Sequence, residues 1–349
     1  MNDLHIIGAG PTGCFSAIYA LKKGFVNDIL ISEEHKEIGK PVKCSGLISK
    51  KAVDFLSKEV SIKKCIKKKF DKAEVYFGED KIELKPKEPM YLIDRQLFDI
   101  LCAEKAEKEG AKIELNQRIK NNYKSNLIIG ADGPLSNTAE YYNFPKINKF
   151  ITTQQTIIKN KNINPDIIQI FLSQKYIPGF FGWVIPQEDE KIELGLGVRL
   201  PNNGKKGIDY LKKKLNIKQK LDLTGGLIPH EIRKTTYKKT NNKQILLVGD
   251  SAGQVKRTTG GGIYYGCLCA KTLGENINHP NTYEKEWRAL YEKDLKMLSF
   301  IRSFMNIQND LTLKAGLKGF KVLGIENLIT KHGDPDSIGT MIDSILKRN

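Results

Sequence analysis

The chain has 349 residues, 40% hydrophobic and 28% charged, an ordinary globular composition that excludes a disordered chain. No apolar run approaches the roughly 20 residues of a membrane-spanning helix, and the opening segment MNDLHIIGAG lacks the basic and apolar regions of a secretory signal, so we expect a cytoplasmic protein. The net charge of +17 favours anionic partners, but no zinc-binding or RNA-binding motif accompanies the scattered lysines, so we expect no nucleic-acid partner.

The first predicted elements are a strand, a glycine-rich turn and a helix. Residues 4–24 place Gly8-x-Gly10-x-x-Gly13 between a short apolar run and an amphipathic segment. Gly8 permits a tight turn, Gly10 lets the backbone approach a pyrophosphate, and Gly13 permits close packing of helix on strand. The free N–H groups at the start of the helix favour phosphate. This segment therefore predicts a dinucleotide-binding turn.

An acidic residue follows at the spacing of a nucleotide-binding unit. Residues 28–31 are a second apolar run, and Glu33 lies about 25 residues past Gly8, where an acid accepts hydrogen bonds from ribose hydroxyls. In a nicotinamide dehydrogenase, further strand–helix units of the same domain follow at this point. Here the sequence after Glu33 is instead a loop-like stretch. LIIGADGPLS at 127–136 and ILLVGD at 245–250 are two later strand-to-turn segments. We therefore predict one discontinuous nucleotide domain that binds FAD rather than NAD.

The intervening segments predict further strands and a helical end. Residues 72–84 alternate like a strand pair, and residues 150–235 contain several apolar strands that favour an antiparallel sheet over the cofactor. Residues 283–305 have helical periodicity, with an apolar stripe that we expect to pack in the core rather than anchor a membrane. The stripe comprises Trp287, Leu290, Tyr291, Leu295, Leu298, Ile301 and Phe304.

The six cysteines include no C-x-x-C pair, so we predict neither a disulfide framework nor a metal site.

Five motifs together resemble the p-hydroxybenzoate hydroxylase-type superfamily of FAD-dependent oxidoreductases. They are Gly8-x-Gly10-Pro11-x-Gly13, Glu33, Asp94-Arg95-x-x-Phe98-Asp99, Gly130-Ala131-Asp132-Gly133 and Gly249-Asp250. Within that superfamily, three further segments are similar to the geranylgeranyl reductase family. These are PVKCSGLIS at 41–49, TTGGGI at 258–263 and Phe181-x-Trp183-x-x-Pro186.

The resemblance implies a two-domain α/β flavoprotein with a Rossmann-like FAD-binding domain, an interleaved antiparallel-sheet substrate domain and a helical C-terminal region. The expected FAD-binding domain draws on 1–60, 90–150 and 240–290, the substrate domain on 61–89 and 151–239, and the helical region on 291–349. The resemblance also implies the residues that contact FAD, namely Gly8, Gly10, Gly13, Glu33, Cys44, Ser45, Leu47, Arg95, Ile119, Asp250, Gly262 and Ile263.

The activity implied by the resemblance is hydrogenation of isoprenoid double bonds in a geranylgeranylated glycerophospholipid, a step of archaeal membrane lipid biosynthesis. Cys44 is the catalytic candidate, which would orient the alkene or relay a proton, and Phe181 and Trp183 are candidate walls of a dry substrate tunnel. Arg257 stands where the family usually has proline, and we expect it to contact the flavin edge or the substrate phosphate. Phe181 replaces the family's usual tyrosine.

Several partners and alternatives remain open at the level of sequence. With no second G-x-G-x-x-G motif, an external donor such as NAD(P)H or ferredoxin must deliver electrons. The basic surplus favours peripheral association with an anionic membrane surface. A menaquinone-type side-chain reductase, a flavin monooxygenase or halogenase, and a non-enzymatic flavin-binding protein are the competing hypotheses. A relative with a cysteine-ligated iron–sulfur cluster is disfavoured because no cysteine follows Cys269.

Overall fold

The computed structural model describes residues 3–310 and 312. Its strands are β1 (Leu4–Ile7), β2 (Ile29–Ser32), β3 (Leu47–Ser49), β4 (Ile66–Phe70), β5 (Lys72–Phe77), β6 (Asp80–Leu84), β7 (Met90–Ile93), β8 (Lys112–Glu114), β9 (Leu127–Gly130), β10 (Phe150–Lys159), β11 (Ile167–Leu172), β12 (Gly182–Pro186), β13 (Lys191–Arg199), β14 (Thr224–Pro229), β15 (Tyr237–Thr240) and β16 (Lys243–Leu247). Its α-helices are α1 (Pro11–Lys23), α2 (Lys50–Leu56), α3 (Arg95–Glu109), α4 (Asn137–Tyr141), α5 (Lys205–Lys214), α6 (Ile263–Glu275), α7 (Tyr283–Trp287) and α8 (Lys293–Ile307).

The first sheet is Rossmann-like and has the strand order β15-β16-β9-β1-β2-β8. The β15–β16 pair is antiparallel, and the other pairs are parallel. Strands β1 and β2 are buried along their whole length, as continuous apolar runs are when helices cover both faces of a sheet. The strands of this sheet come from three separated parts of the chain, so the nucleotide-binding layer is discontinuous in sequence.

Helix α1 packs against α3 and α6 beside this sheet. The approach of α1 to α6 is close because a Cβ at Gly274 of α6 would lie 2.6 Å from the Cβ of Tyr19 and 2.7 Å from the backbone nitrogen of Ala20. Helix α1 begins at Pro11, directly after the glycine-rich turn, and ends at Lys23, where Gly24 caps it with a left-handed φ of 71°. The N-terminus of α1 is thereby held at the carboxyl edge of the parallel strands.

The second sheet has seven strands in the order β14-β10-β13-β12-β11-β5-β6. Its pairs are antiparallel except for β5–β11, which is parallel. The strand pair predicted in residues 72–84 is the β5–β6 hairpin at one edge. One face packs against α5, and the opposite face contributes Trp183 and Ile185 to a separate apolar cluster, which also contains Phe180 from the segment before β12.

A third sheet, β3-β7-β4, was not anticipated from the sequence. Strand β7 runs antiparallel to both β3 and β4. Phe70 of β4 and Leu92 of β7 are buried in the same cluster as Phe180 and Trp183. This small sheet therefore connects the segment before α2 with the seven-stranded sheet.

The described C-terminal region is helical, and a π-helical segment at 288–292 joins α7 to α8. Trp287, Leu295 and Leu298 of the predicted apolar stripe are buried in the core. Leu290 and Phe304 depart from the prediction, with 58% and 60% of their surfaces exposed. The predicted helical region beyond residue 312 lies outside the described residues. Within the described part of the chain, no helix is both long enough and apolar enough to span a membrane.

Candidate functional site

The carboxyl ends of β1, β2, β9 and β16 meet at one edge of the parallel sheet, where ligands bind in open α/β sheets. The turns that leave these strands are connected by backbone hydrogen bonds. The N–H of Gly8 donates to the carbonyl of Ser32 over 2.8 Å, and that of Ala131 donates to Ile7 over 2.8 Å. The glycine-rich turn is therefore positioned by both of its neighbouring strands.

Three glycines of this turn have different surroundings. Gly8 has a φ of 101°, and a Cβ there would lie 2.5 Å from the carbonyl oxygen of Ala131. A Cβ on Gly13 would lie 2.0 Å from the carbonyl oxygen of Gly8, so α1 crosses the turn at a distance that a side chain would prevent. A Cβ on Gly10 would meet nothing within 4 Å. Gly8 and Gly13 are thus required by the fold, whereas Gly10 faces open space.

Glu33 is fixed beside this turn. Its carboxylate accepts the backbone N–H of Ala9 over 2.9 Å and the backbone N–H of His35 over 3.0 Å. The ring Nδ1 of His35 approaches the same carboxylate. Because a carboxylate has about four acceptor positions, Glu33 keeps capacity for a further donor.

A cavity of about 300 Å³ opens in front of the turn. Of the residues predicted from the sequence to contact the cofactor, the cavity is lined by Gly8, Gly10, Glu33, Arg95 and Ile119. Asp132, Gly133 and the loop residues Val42 and Lys43 also line it. The other predicted residues, Gly13, Cys44, Ser45, Leu47, Asp250, Gly262 and Ile263, are not part of this lining.

Arg95, the first residue of α3, connects the cavity to two of those other residues. Its guanidinium is paired with Asp99 one turn along the helix, with a nitrogen–oxygen distance of 2.9 Å. Burial opposes the charge of Arg95, but the Asp99 carboxylate and the Cys44 thiol outweigh burial and raise the pKa of the guanidinium. Arg95 is also close enough to Asp250 to favour the ionised form of that carboxyl.

Asp250 lies three residues after the end of β16, in the 3-10 turn at 249–252, and beside the start of α6. Burial raises its pKa to about 6, although the positive charge of Arg95 opposes this shift. A Cβ at Gly262 would lie 2.9 Å from Oδ1 of Asp250, so Asp250 and the N-terminus of α6 at Ile263 are neighbours. The carboxyl is held in a desolvated place where a hydrogen-bond donor from a ligand would stabilise its ionised form.

The loop before β3 carries the cysteine singled out in the sequence. Cys44 is half-buried, and its Sγ accepts the backbone N–H of Gly46 over 3.5 Å, whereas the other five cysteines are buried. Ser45 is half-buried beside it. Leu47, where β3 begins, packs against the cluster that contains Phe180 and Trp183. The loop therefore reaches from the cavity, through Lys43, to the aromatic cluster.

The aromatic cluster contains the two predicted substrate-tunnel residues. The ring centroids of Phe180 and Phe181 are stacked 4.2 Å apart, and Trp183 meets Phe181 edge-on at 5.9 Å. The indole lies across Gly195 of β13, where a Cβ would be 2.4 Å from the ring. Its Nε1–H donates to Oε1 of Glu193 over 2.8 Å.

Glu193 was missed by the sequence analysis. Only 4% of its surface is exposed, and burial raises its pKa to about 7, although the hydrogen bond from Trp183 opposes this shift. The alternation of β13 could have identified it, because Glu193 shares a strand face with Gly195 and Gly197, which contact Trp183 and Phe180.

Arg257, predicted from the sequence to contact the flavin edge or the substrate phosphate, lies against helix α8. Its Nη1 donates to Oγ of Ser299 on α8, and its backbone carbonyl accepts Nε–H of Arg302 over 3.2 Å. The same carbonyl lies 3.3 Å from Nε2 of His230. Neither His230 nor Arg302 was identified from the sequence, because no local motif marks contacts between residues so distant along the chain.

Comparisons with known proteins relate the chain to one family of reductases. Residues 149–226 match the family model of the geranylgeranyl reductase catalytic domain. An uncharacterized protein of Methanocaldococcus jannaschii is 30% identical, with 99% of this chain and 95% of that protein covered. The digeranylgeranylglycerophospholipid reductase of Methanosarcina acetivorans is 27% identical, with 88% of this chain and 86% of that protein covered.

A solved structure shares the fold across nearly the whole chain. It is a geranylgeranyl bacteriochlorophyll reductase-like protein from Thermoplasma acidophilum, with a TM-score of 0.78 and 21% identity. The match covers 98% of this chain and 95% of that protein.

Proposed function

Because this chain belongs to the geranylgeranyl reductase family and is an oxidoreductase, we propose that it hydrogenates isoprenoid carbon–carbon double bonds of geranylgeranylated glycerophospholipids with FAD as its cofactor. The observation that carries this proposal is the continuity of the loop at 42–47. Val42 and Lys43 line the nucleotide cavity, and Leu47 packs on the aromatic cluster. A ring bound at the inner end of the cavity and an apolar chain on the cluster would share this loop.

The residues in the cavity fit the adenosine and pyrophosphate parts of FAD. Gly10 leaves open space at the start of α1, where backbone N–H groups favour phosphate, and Glu33 keeps acceptor capacity for ribose hydroxyls. The buried carboxyl of Asp250 and the start of α6 at Ile263 would contact the ribitol and the ring. When bound, the flavin supplies the hydride equivalent for the reduction.

The chain's own part in the reaction is to orient the alkene, exclude water and provide a proton. Phe180, Phe181 and Trp183 form a dry surface that suits an isoprenoid chain. Cys44 lies at the junction of the cavity and this surface, where its thiol would orient the double bond or relay a proton. A thiol is too weak an acid to protonate an alkene directly, so orientation or relay is the role we assign.

The substrate is tested by offering two isoprenoids to the reduced protein. Dithionite-reduced, FAD-loaded protein is incubated separately with a geranylgeranylated glycerophospholipid and with menaquinone, and products are analysed by mass spectrometry. The proposal predicts a gain of two hydrogens per double bond in the phospholipid. Reduction of the menaquinone side chain alone would favour the quinone reductase alternative. Reduction of neither, with oxygenation or halogenation of an aromatic compound, would favour the monooxygenase or halogenase class.

The electron donor is proposed to be external. NAD(P)H or ferredoxin would have to reduce the flavin transiently, since the described residues supply one glycine-rich strand–helix turn of this type, at Gly8. Stopped-flow reduction of the oxidised protein with each donor compares them directly.

We further propose peripheral association with an anionic membrane surface. The chain has a net charge of +17, and the outer side of α8 exposes Phe300, Phe304 and Ile307. Each basic residue near an anionic surface contributes about 1 kcal/mol, and exposed aromatic rings add apolar contact with lipid. Sedimentation with vesicles tests this: binding should be stronger to anionic than to neutral vesicles and should weaken in high salt. Equal binding to both at all salt concentrations would contradict it.

A further inference from the structure

Helix α8 carries an arginine that is buried with no acidic partner among residues 3–310 and 312. Arg302 is 3% exposed, and its guanidinium lies over the rings of Phe180 and Phe181, 5.0 and 5.6 Å from their centroids. Its Nε and Nη2 donate to the backbone carbonyls of Arg257 and Thr258. Burial lowers its pKa to about 10, and no carboxylate contributes to that shift. A buried cation of this kind is normally paired with an anion.

Two polar atoms at this place are buried and find no hydrogen-bond partner in the described part of the chain. They are Nη1 of Arg302 and Oγ1 of Thr258. Buried polar groups in folded proteins are nearly always satisfied, so such an atom calls for a ligand or another specific explanation. The two residues are already joined, because Arg302 donates to the Thr258 carbonyl. The Nη1 donors of Arg302 and the hydroxyl of Thr258 are therefore both available, on two residues that are in contact with each other.

The charges around the site favour an anion. The positive charges of Arg257, Arg302 and Arg199 all act on His230. Burial lowers the pKa of His230 to about 4, so the imidazole is neutral near pH 7 and donates its Nε2–H to the Arg257 carbonyl. Glu231 is the acid that acts on Arg257. Three arginines facing one glutamate leave a net positive site.

The site borders apolar surface on one side. The Phe180 ring lies 3.2 Å from where a Cβ on Gly260 would be, so the 258–262 loop, Phe180 and Arg302 converge. A ligand that fits both surroundings is an amphiphile with an anionic end and an apolar chain. Among anions, phosphate matches the planar donors of a guanidinium and also accepts from a hydroxyl.

We propose that Arg302 Nη1 and Thr258 Oγ1 bind a phosphate of the isoprenoid substrate, whose chain lies along Phe180 and Phe181. This proposal rests on the proposed function, and it adds the residues that hold the phosphate of that substrate. It places the phosphate contact at Arg302 rather than at the side chain of Arg257, which is bonded to Ser299. Both unpartnered atoms are shielded from solvent in this structure, so entry of the phosphate requires α8 to shift outward from the 256–262 loop.

Binding measurements test the proposal without turnover. Isothermal titration of FAD-loaded protein compares geranylgeranyl phosphate with the neutral geranylgeraniol, in the wild type, Arg302→Gln and Arg302→Lys. We expect the wild type to bind the phosphate about 10- to 100-fold more tightly than the alcohol, and Arg302→Gln to lose that preference. Arg302→Lys should retain part of it. The control Lys296→Gln removes a cation with 67% side-chain exposure from the same helix and should bind as the wild type does.

Competition with inorganic phosphate distinguishes a site for free phosphate from a site for the phosphate of an isoprenoid. Competition by inorganic phosphate against geranylgeranyl phosphate in the wild type but not in Arg302→Gln supports a phosphate site. Binding of inorganic phosphate at Arg302 with no preference for geranylgeranyl phosphate over the alcohol would overturn the substrate assignment. Equal affinities of the wild type and Arg302→Gln for geranylgeranyl phosphate would overturn the site itself.

Two further measurements separate a loss of phosphate binding from misfolding and from an effect on the flavin. If Arg302→Gln does not fold, Thr258→Val removes the other donor and should lower the preference for phosphate several-fold. The flavin reduction potential of Arg302→Lys should equal that of the wild type. A shifted potential with an unchanged preference for phosphate would contradict the proposal, because the charge of Arg302 would then act on the cofactor. Failure of the proposed function would appear differently, as absence of binding and reduction for phosphate and alcohol alike.

Discussion

The nucleotide side and the aromatic side of this molecule differ in how their buried polar groups are satisfied. At the carboxyl edge of the parallel sheet, Glu33 accepts from Ala9 and His35, and Asp132 accepts from Ser136 and Thr138. On the aromatic side, Arg302 and Thr258 each keep an atom with no partner among the described residues, and the Glu193 carboxyl accepts from the Trp183 indole. The first side is organised by its own backbone, whereas the second has buried groups that a substrate could complete.

Substitutions at Gly13 and Gly10 test the nucleotide side, and Gly13→Ala has the largest expected effect on stability. Gly13→Ala would place a Cβ 2.0 Å from the Gly8 carbonyl, so we expect the free energy of unfolding to fall by about 3 kcal/mol or more. Gly10→Ala is the matched control, because its Cβ meets nothing within 4 Å. It should remain within about 1 kcal/mol of the wild type in urea unfolding and yet lose FAD. Loss of stability in Gly10→Ala with retained FAD would contradict the assignment of the turn.

Asp250 tests whether the nucleotide side holds a buried carboxylate that lacks a hydrogen-bond donor until the cofactor binds. Its pKa is raised to about 6 by burial, so the stability of the cofactor-free protein should fall as pH rises from about 4 to about 6 and then level off. Asp250→Asn removes that dependence. In the cofactor-free protein at pH 8 it should be more stable than the wild type by up to about 3 kcal/mol, with no difference near pH 4.

The same carboxyl should contribute to flavin retention. Asp250→Ala removes a charged acceptor, so FAD affinity should weaken by about 2–3 kcal/mol. Stoichiometric FAD in purified Asp250→Ala would refute its role as a ribitol contact.

Cys44 tests the junction between the two sides. The Cys44 thiol accepts the Gly46 N–H over 3.5 Å and also interacts with the Arg95 guanidinium. Cys44→Ala should still retain FAD and be reduced normally, because the ion pair with Asp99 continues to hold Arg95 in place. We expect alkene turnover to fall by about tenfold or more, a barrier change of roughly 1.4 kcal/mol, or fewer double bonds to be saturated. Single-turnover oxidation of the reduced variant by substrate measures this. A wild-type rate and product pattern would mean that the thiol only packs.

Glu193 tests the aromatic side, and the expected effect, a change in tryptophan fluorescence with pH, is the smallest of the set. Its carboxyl accepts from Trp183 and has a pKa of about 7, so the fluorescence of Trp183 should change through a transition near pH 7. The other tryptophan, Trp287, donates to Thr236, which does not titrate, and acts as an internal control. Glu193→Gln should remove the transition while leaving emission from Trp287 unchanged. A transition that persists in Glu193→Gln belongs to another group.

The two sides also differ in how far the sequence could predict them. Gly8, Gly13 and Glu33 act within local strand–turn–helix units, so their spacing predicted the Rossmann-like sheet. The strands of the second sheet were predicted from alternation, but the β3-β7-β4 sheet was not, because its short strands pair across distant segments. Arg302 meets Phe180 only through tertiary packing. No periodicity or motif in the sequence encodes that contact.

Anaerobic single turnover tests the central claim most directly. Dithionite-reduced, FAD-loaded protein is mixed with a geranylgeranylated glycerophospholipid, and the flavin absorbance is followed in time. The mass of the lipid product is then measured by mass spectrometry. We expect each reoxidised flavin to correspond to one double bond saturated, with two hydrogens gained by the lipid. Wild-type protein that binds FAD but shows no reoxidation by the lipid, and no mass gain, would contradict it.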